Sequence, residues 1–224
     1  MAFAVSEQPV SLPDVANLVV WALDAGVSCV SLFDREGLIK SEKLDLLKAF
    51  VSAAAEQSTS LVASSVSWKW STAHGPPSTT TTLLSSNGTP TNGNRVRGDG
   101  NNAHEHDPGN NNEIRRTVSL LSSEDGRPDI VQAARAIAER VSSGEISAED
   151  IDEASVSGAL GANRGLPDPD VLVRVGPSHT NMGFLPWQIR LTEIYQLDSL
   201  RGVRWSDLYG VLRKYSKCEQ RFGR

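Results

Sequence analysis

Short apolar runs alternate along this chain with longer stretches in which apolar residues recur at helical spacing. The short runs, at residues 29–33, 116–122 and 171–175, are typical of buried strands. The longer stretches predict helices over about 12–25, 41–57, 127–142, 147–160, 187–195 and 205–218. Such alternation predicts an α/β fold with a mainly parallel central sheet flanked by helices.

One segment breaks this alternation. Residues 68–112 consist largely of Ser, Thr, Asn, Gly and Pro, with four consecutive threonines at 79–82 and three asparagines at 110–112. Such a composition buries too little apolar surface to offset the entropy lost on ordering. We therefore predict a single domain over residues 1–224, interrupted by a disordered low-complexity insertion at about 68–112.

Composition and charge exclude several classes of function. The net charge of −5 argues against a broad nucleic-acid interface. The two widely spaced cysteines, Cys29 and Cys218, form neither a disulfide framework nor a metal site. No apolar run approaches the roughly 18–20 residues of a membrane span, and no signal-peptide pattern is present. If the protein is membrane-bound, we expect its anchor outside this sequence or on a partner.

Distinctive motifs lie in the second half of the chain. They read LSSEDGRPDIV at 121–131, PDPDVLVRVGP at 167–177, GFLPWQIRLTEI at 183–194 and CEQRFG at 218–223. With the helix and strand of residues 12–34, they resemble the Nogo-B receptor-type accessory subunits of dehydrodolichyl diphosphate synthase complexes, within the cis-prenyltransferase family. The resemblance implies the undecaprenyl diphosphate synthase-like fold, whose catalytic members condense isopentenyl diphosphate with an allylic diphosphate, assisted by magnesium.

The chain departs from the catalytic members where they bind the allylic diphosphate. Those members carry Asp-Gly-Asn after their first strand, where the aspartate helps to hold magnesium. Here the corresponding place reads Val5-Ser6-Glu7-Gln8. The resemblance therefore implies a domain that lacks one part of the catalytic machinery.

A second departure concerns the pattern Arg-Thr-Ser-Gly-Glu-x-Arg-x-Ser-Asn-Phe, which binds isopentenyl diphosphate in catalytic members. Arg174 holds the first arginine position, but Ser178, Thr180 and Met182 replace the glutamate, the second arginine and the serine. One arginine cannot clamp a diphosphate from two sides. Glu193 falls where catalytic members keep a metal-binding glutamate. Arg174 and Glu193 thus mark a possible vestigial site, with purely structural roles as the alternative.

The end of the sequence carries the positive signal. In the family, the accessory subunit's C-terminal Arg-x-Gly reaches across the dimer interface into the catalytic subunit's site, and Arg221 and Gly223 fit that pattern. Arginine stays charged and grips phosphate oxygens through several donors, and glycine lets the backbone approach a phosphate closely. The alternative is a frayed basic terminus.

These readings lead to one expected function and two alternatives. We expect a non-catalytic, activating subunit of a heteromeric cis-prenyltransferase, whose catalytic partner holds the Mg²⁺. The complex would condense isopentenyl and farnesyl diphosphates into long-chain polyprenyl diphosphate for dolichol synthesis and protein glycosylation, at the cytosolic face of the endoplasmic reticulum membrane. A homodimer of the isolated chain stays open. The alternatives are a self-sufficient cis-prenyltransferase and a receptor or binding module on the same fold.

Overall fold

A seven-stranded sheet forms the centre of the protein, seen in a computed structural model that describes residues 1–57, 65–72, 75–83, 116–160 and 166–220. The strands are β1 (Ala2–Val5), β2 (Cys29–Asp34), β3 (Ser65–Thr72), β4 (Gly75–Leu83), β5 (Arg116–Leu121), β6 (Val171–Val175) and β7 (Glu193–Leu197). Their order is β4-β3-β5-β2-β1-β6-β7. All adjacent pairs are parallel except β3 and β4, which are antiparallel. The predicted fold class is confirmed.

Six α-helices accompany the sheet within the described residues. They are α1 (Leu12–Asp24), α2 (Leu38–Ser41), α3 (Lys43–Glu56), α4 (Arg127–Ser142), α5 (Glu153–Ala159) and α6 (Trp205–Tyr215). The first helix begins after Ser11 with Pro13 and Asp14 in its first turn, as the sequence predicts. It packs against α3 and α6. None of the helices in the described part of the chain has both the length and the apolar character needed to cross a membrane.

The main hydrophobic core lies between the sheet and the layer formed by α1, α3 and α6. Phe3, Leu18 and Phe50 are completely inaccessible there. The ring of Phe50 meets the ring of Trp68 edge-on, at 5.1 Å between centroids. On the second face of the sheet a smaller cluster forms around Phe33 and Phe184, whose centroids are 5.4 Å apart.

The predicted disorder of residues 68–112 is wrong for its first part. Residues 68–72 belong to β3 and residues 75–83 to β4, and these two strands pair with each other. Two causes are visible. Trp68 is only 1% exposed and anchors β3 in the main core, and the threonines of 79–82 are β-branched, which suits a strand. The stretch 84–112 lies outside the described residues.

The predicted helix over 187–195 is also wrong. Turns occupy residues 187–192, and the chain then enters β7, whose Val171↔Glu193 to Val175↔Leu197 register joins it to β6. The helix predicted over 147–160 is shorter than expected. A 3-10 turn at Ala148–Asp150 precedes α5, which Asp152 caps by accepting a 2.7 Å hydrogen bond from the Ser155 N–H.

Candidate functional site

The crevice between the ends of β1 and β6 is the natural ligand site of this sheet. From β1 the chain turns to β2 on one side, and it later returns to place β6 on the other side. In open parallel sheets, ligands bind outside the carboxyl ends of the strands at such a reversal. Val5 and Val175 are the last residues of the two strands and lie side by side in the register.

Ser6 closes this crevice from the β1 side. Its N–H and its hydroxyl both donate to the carbonyl of Val175, at 2.8 and 3.1 Å. The same hydroxyl oxygen accepts a 3.0 Å hydrogen bond from the N–H of Ser178. One hydroxyl therefore ties the end of β1 to the loop that follows β6, in the place where a ligand would otherwise enter.

The Glu7 carboxylate binds a segment that is distant in the sequence. Its carboxylate accepts hydrogen bonds from the Leu200 N–H and, at 2.9 Å, from the Ser199 hydroxyl. Arg201 Nε lies 3.5 Å from the other carboxylate oxygen, and only 16% of the Glu7 side chain is exposed. Partial burial raises the pKa of Glu7, but the hydrogen bonds from Leu200, Ser199 and Arg201 together outweigh it, so that the pKa is lowered. The carboxylate is thus a structural bridge between residues 7 and 199–201.

Gly176 brings the two loops into backbone contact. Its φ of 104° lies in the region that favours glycine, and a Cβ there would stand 2.7 Å from the Glu7 nitrogen and 2.8 Å from the Ser6 hydroxyl oxygen. The backbone of residues 6 and 7 thus fills the space next to the end of β6.

The Arg174 side chain binds the loop that follows its own strand, β6. It lies on β6 beside Ala4 and Gln196, and its terminal nitrogen donates to the carbonyl of His179. In the same loop the hydroxyls of Ser178 and Thr180 are 3.1 Å apart and hydrogen-bond each other. Among the described residues the Nε of Arg174 has no hydrogen-bond partner. The guanidinium thus helps to hold the loop that follows β6.

Glu193 and Arg174 lie on adjacent strands, three register positions apart. Glu193 is the first residue of β7 and pairs with Val171, whereas Arg174 pairs three residues further along with Gln196. A hydrogen bond to Glu193 raises the pKa of the Cys218 thiol. The two residues of the predicted vestigial site therefore lie at different levels of the sheet, with Glu193 at its amino edge.

A buried charge network follows the neighbouring strand ends, β2 and β5. Asp34 is completely buried and accepts hydrogen bonds from the Leu38 and Ile39 N–H groups, at 2.7 and 3.0 Å. Burial raises the pKa of Asp34 more than these bonds lower it. Lys40 forms a 3.0 Å ion pair with Asp125, with side-chain exposures of 12% and 5%. The sequence reasoning missed this network, although an aspartate that ends a strand just before a helix is a recognisable capping signal.

These carboxylates do not form a magnesium site. Mg²⁺ requires oxygen ligands converging at about 2.1 Å, and the oxygens of Glu7 and Asp34 are directed at backbone N–H groups. Within the part of the chain that the structure describes, no three His, Cys, Asp or Glu side chains converge. The residues of this crevice do not fit the metal.

A second cleft, of about 450 Å³, separates α6 from the end of β7. Arg201 and Lys214 line it together with Asp198 and Asp207. Because the two basic and two acidic side chains balance, the cleft has no net charge that would select a diphosphate.

The tail residues Arg221 and Gly223 lie outside the described residues. The described chain ends at Gln220, whose amide nitrogen is 3.4 Å from the Tyr215 hydroxyl. Tyr215 lines a cleft of about 270 Å³ with Met1, Asp170 and Val171, at the amino ends of β1 and β6. Residues 218–220 thus leave the domain at the edge opposite to the crevice.

Comparison with known proteins identifies the family. A family model described as putative undecaprenyl diphosphate synthase matches residues 95–223, which is more than half of the chain. Among solved structures, lavandulyl diphosphate synthase from Lavandula x intermedia, in complex with dimethylallyl diphosphate, has a TM-score of 0.62 at 18% identity and covers 100% of this chain and 97% of its own. A probable undecaprenyl diphosphate synthase from Campylobacter jejuni has a TM-score of 0.53 at 16% identity, covering 100% and 98%. The chain belongs to the undecaprenyl diphosphate synthase family.

Within this family, the chain is similar to a particular kind of subunit. It is 32% identical to the dehydrodolichyl diphosphate synthase complex subunit NUS1 of Homo sapiens over 97% of this chain and 63% of the relative. Identity to the yeast NUS1, from Saccharomyces cerevisiae, is 29% over 95% of this chain and 53% of the relative. A (2E,6E)-farnesyl-diphosphate-specific ditrans,polycis-undecaprenyl-diphosphate synthase of Xanthomonas axonopodis is 39% identical, but over only 49% of this chain and 42% of its own. The chain spans roughly three-fifths of the length of the NUS1 relatives.

Proposed function

We propose that this chain is a non-catalytic, activating subunit of a heteromeric cis-prenyltransferase. Its catalytic partner would bind Mg²⁺ and the isoprenoid diphosphates, and would condense isopentenyl diphosphate with farnesyl diphosphate into long-chain polyprenyl diphosphate for dolichol synthesis and protein glycosylation. The complex would work at the cytosolic face of the endoplasmic reticulum membrane. Arg221 and Gly223 would act in the partner's site.

The state of the β1–β6 crevice carries this proposal. Ser6 hydrogen-bonds both Val175 and Ser178, and Glu7 bridges to Leu200. A Cβ on residue 176 would stand 2.7 Å from the Glu7 nitrogen. A diphosphate needs donors and a metal directed at its oxygens, whereas the groups here are directed at one another. A domain arranged in this way is better suited to support a partner than to bind substrate.

Packing of the main core favours the same conclusion. A tunnel wide enough for a polyprenyl chain would admit water-sized probes, so its lining side chains would have accessible surface. Phe3, Ile39, Leu46 and Phe50, which lie between the sheet and the helices α1 and α3, have none. The protein's own side chains therefore fill this layer, as they do in an ordinary core.

The place where the chain leaves the domain favours action in trans. Residues 218–220 lie beside Glu193 and Tyr215, at the amino edge of the sheet. Each further residue advances the chain by at most roughly 3.5 Å, while the five residues of β6 separate the two edges by roughly 15 Å. Gln220, the last described residue, therefore lies far from the crevice of its own chain.

Reconstitution with a catalytic subunit tests the proposal. The chain is co-purified with a catalytic cis-prenyltransferase subunit from the same source and assayed with farnesyl and isopentenyl diphosphates and Mg²⁺. We expect the complex to make polyprenyl diphosphate and the isolated chain to make none. Loss of a phosphate-gripping arginine through Arg221→Ala should lower the rate about 10²–10³-fold, which corresponds to about 3–4 kcal/mol of transition-state stabilisation. Gly223→Ala should impair the complex as well.

Arg224→Ala is the matched control, because it removes a basic residue from the same tail and should leave the rate nearly unchanged. Co-purification yields must stay equal across the variants, so that lost activity is not lost assembly. Product from the isolated chain would identify a self-sufficient enzyme and sink the proposal. Full activity of the Arg221→Ala and Gly223→Ala complexes would instead favour a binding module.

A further inference from the structure

An aromatic surface lies where α1 and α6 meet, formed by the exposed Trp205 and Tyr209 and the partly buried Trp21. The rings of Trp21 and Trp205 meet edge-on with 6.4 Å between centroids, and the rings of Trp205 and Tyr209 are 6.0 Å apart. Trp205 is 43% exposed and Tyr209 53% exposed. Aromatic side chains supply large contact areas when they are covered, so their exposure here is a feature that the fold itself does not need.

The helical period of α6 places this surface opposite the core. Leu208 and Val211 are buried in the core. Trp205 and Tyr209 are four residues apart and share the outer face. Arg213 follows four residues later on the same side and is exposed. The outer face of α6 is thus aromatic in its first half and basic in its second.

Charge separates this segment from the rest of the chain. Residues 201–217 contain five basic side chains and one acidic side chain, and therefore carry a net charge of +4, while the whole chain carries −5. The basic residues are Arg201, Arg204, Arg213, Lys214 and Lys217. Arg201 pairs with Glu7, Arg204 pairs with Asp207, and Lys214 lines the balanced cleft beside β7. The exposed Arg213 and Lys217 are therefore the basic residues that can attract an anionic surface.

We propose that this aromatic and basic surface docks α6 on the headgroup region of an anionic lipid bilayer. Tryptophan and tyrosine rings settle at the membrane–water interface, since each pairs an apolar ring with a polar tip. Basic side chains next to such rings add attraction to anionic lipids, as in helices that lie along a membrane surface. The occupant is a lipid surface rather than a second copy, because a two-fold contact would bring the exposed Arg213 and Lys217 of two copies close together.

Vesicle flotation of the full 224-residue chain tests the proposal. The vesicles contain phosphatidylcholine alone or phosphatidylcholine with phosphatidylserine. We expect binding to the anionic vesicles, little binding to the neutral ones, and weaker binding as salt rises. Trp205→Ser with Tyr209→Ser should abolish binding, and Arg213→Gln with Lys217→Gln should weaken it about 25-fold, at about 1 kcal/mol for each basic residue.

Two control variants separate this surface from general effects. Leu44→Ser removes an apolar side chain that is 66% exposed on α3, and Arg135→Gln removes an exposed charge on α4. Both should bind vesicles like the original chain. Thermal unfolding checks that each variant is folded, and the charge variants do not disturb packing.

Equal binding to neutral and anionic vesicles would overturn the proposal, as would binding that survives loss of both aromatic side chains. If those variants bind vesicles normally but lose association with the catalytic subunit, the surface is a protein interface instead. Activity of the complex in detergent is measured in parallel. It should stay unchanged, so that the membrane proposal and the proposed function can fail independently.

Discussion

Replacement of Glu7 by glutamine tests whether this carboxylate is a structural bridge. The change keeps the size of the side chain and one acceptor oxygen, but it removes the charge that the Leu200 N–H, the Ser199 hydroxyl and Arg201 share. Hydrogen bonds to a charged group contribute about 1.5–3 kcal/mol, roughly twice the neutral value. Because the glutamine still accepts, we expect Glu7→Gln to lower the free energy of unfolding by about 1–2 kcal/mol, or Tm by about 2–8 °C.

The direction of the Glu7 pKa shift determines how the destabilisation by Glu7→Gln should change with pH. The folded state lowers the pKa of Glu7 from its ordinary value of 4.5. The carboxylate therefore adds stability above pH 4.5, and that stability is lost as the pH falls through the lowered folded pKa. The difference in unfolding free energy between the original chain and Glu7→Gln should thus be constant near neutral pH and should shrink in acid.

Urea unfolding followed by tryptophan fluorescence, at several pH values between neutral and strongly acidic, measures this difference. Glu139→Gln, an exposed glutamate on α4, is the matched control and should change little. Two results would refute the reasoning: equal stability of the original chain and Glu7→Gln at neutral pH, or a difference that does not shrink in acid. Stabilisation of the original chain alone by millimolar magnesium would show that Glu7 is a metal ligand.

Two further changes test the packing around the strand ends. Lys40→Met should lower the free energy of unfolding by about 3–5 kcal/mol, because it breaks a buried ion pair with Asp125. Asp125→Asn added to it should recover part of the loss in urea unfolding, and additive losses would contradict the pairing. Gly176→Ala should destabilise by about 1–3 kcal/mol more than Gly26→Ala, since both residues have positive φ but only residue 176 would place a Cβ against backbone. Equal Tm values for the two glycine variants would show that the backbone near residue 176 can shift to accommodate the Cβ.

Local patterns predicted the elements whose burial follows a clear period. The helix expected over 127–142 and the strand expected over 171–175 are confirmed at the same bounds. The strand β1 was missed, because four apolar residues (Ala2–Val5) carry no period that separates strand from helix. The strand pair β3 and β4 was also missed, because its amino-acid composition is polar. Its polar sequence predicts disorder, whereas long-range contacts order it: β3 pairs with β5, and Trp68 packs on Phe50.

The candidate site was less predictable, because long-range contacts decide its character. The sequence showed that Asp-Gly-Asn is missing at Val5–Gln8, but it could not show what Glu7 does instead. Its partners, Ser199 and Leu200, lie 192 and 193 residues away in the chain. Alignment along a motif likewise placed Arg174 and Glu193 together, while the parallel register puts them at different levels of the sheet.

The carboxyl edge and the amino edge of the sheet therefore differ in the contacts that matter for the proposed partner. At the carboxyl edge Ser6, Glu7 and Asp34 bind groups of their own chain, so a phosphate arriving there would have to displace hydrogen bonds already formed. At the amino edge Cys218 and Gln220 contact Glu193 and Tyr215 of the same domain. Under the proposed function, Arg221 would therefore bind a phosphate on the partner subunit rather than in the crevice of its own chain, where Ser6 and Glu7 already form hydrogen bonds.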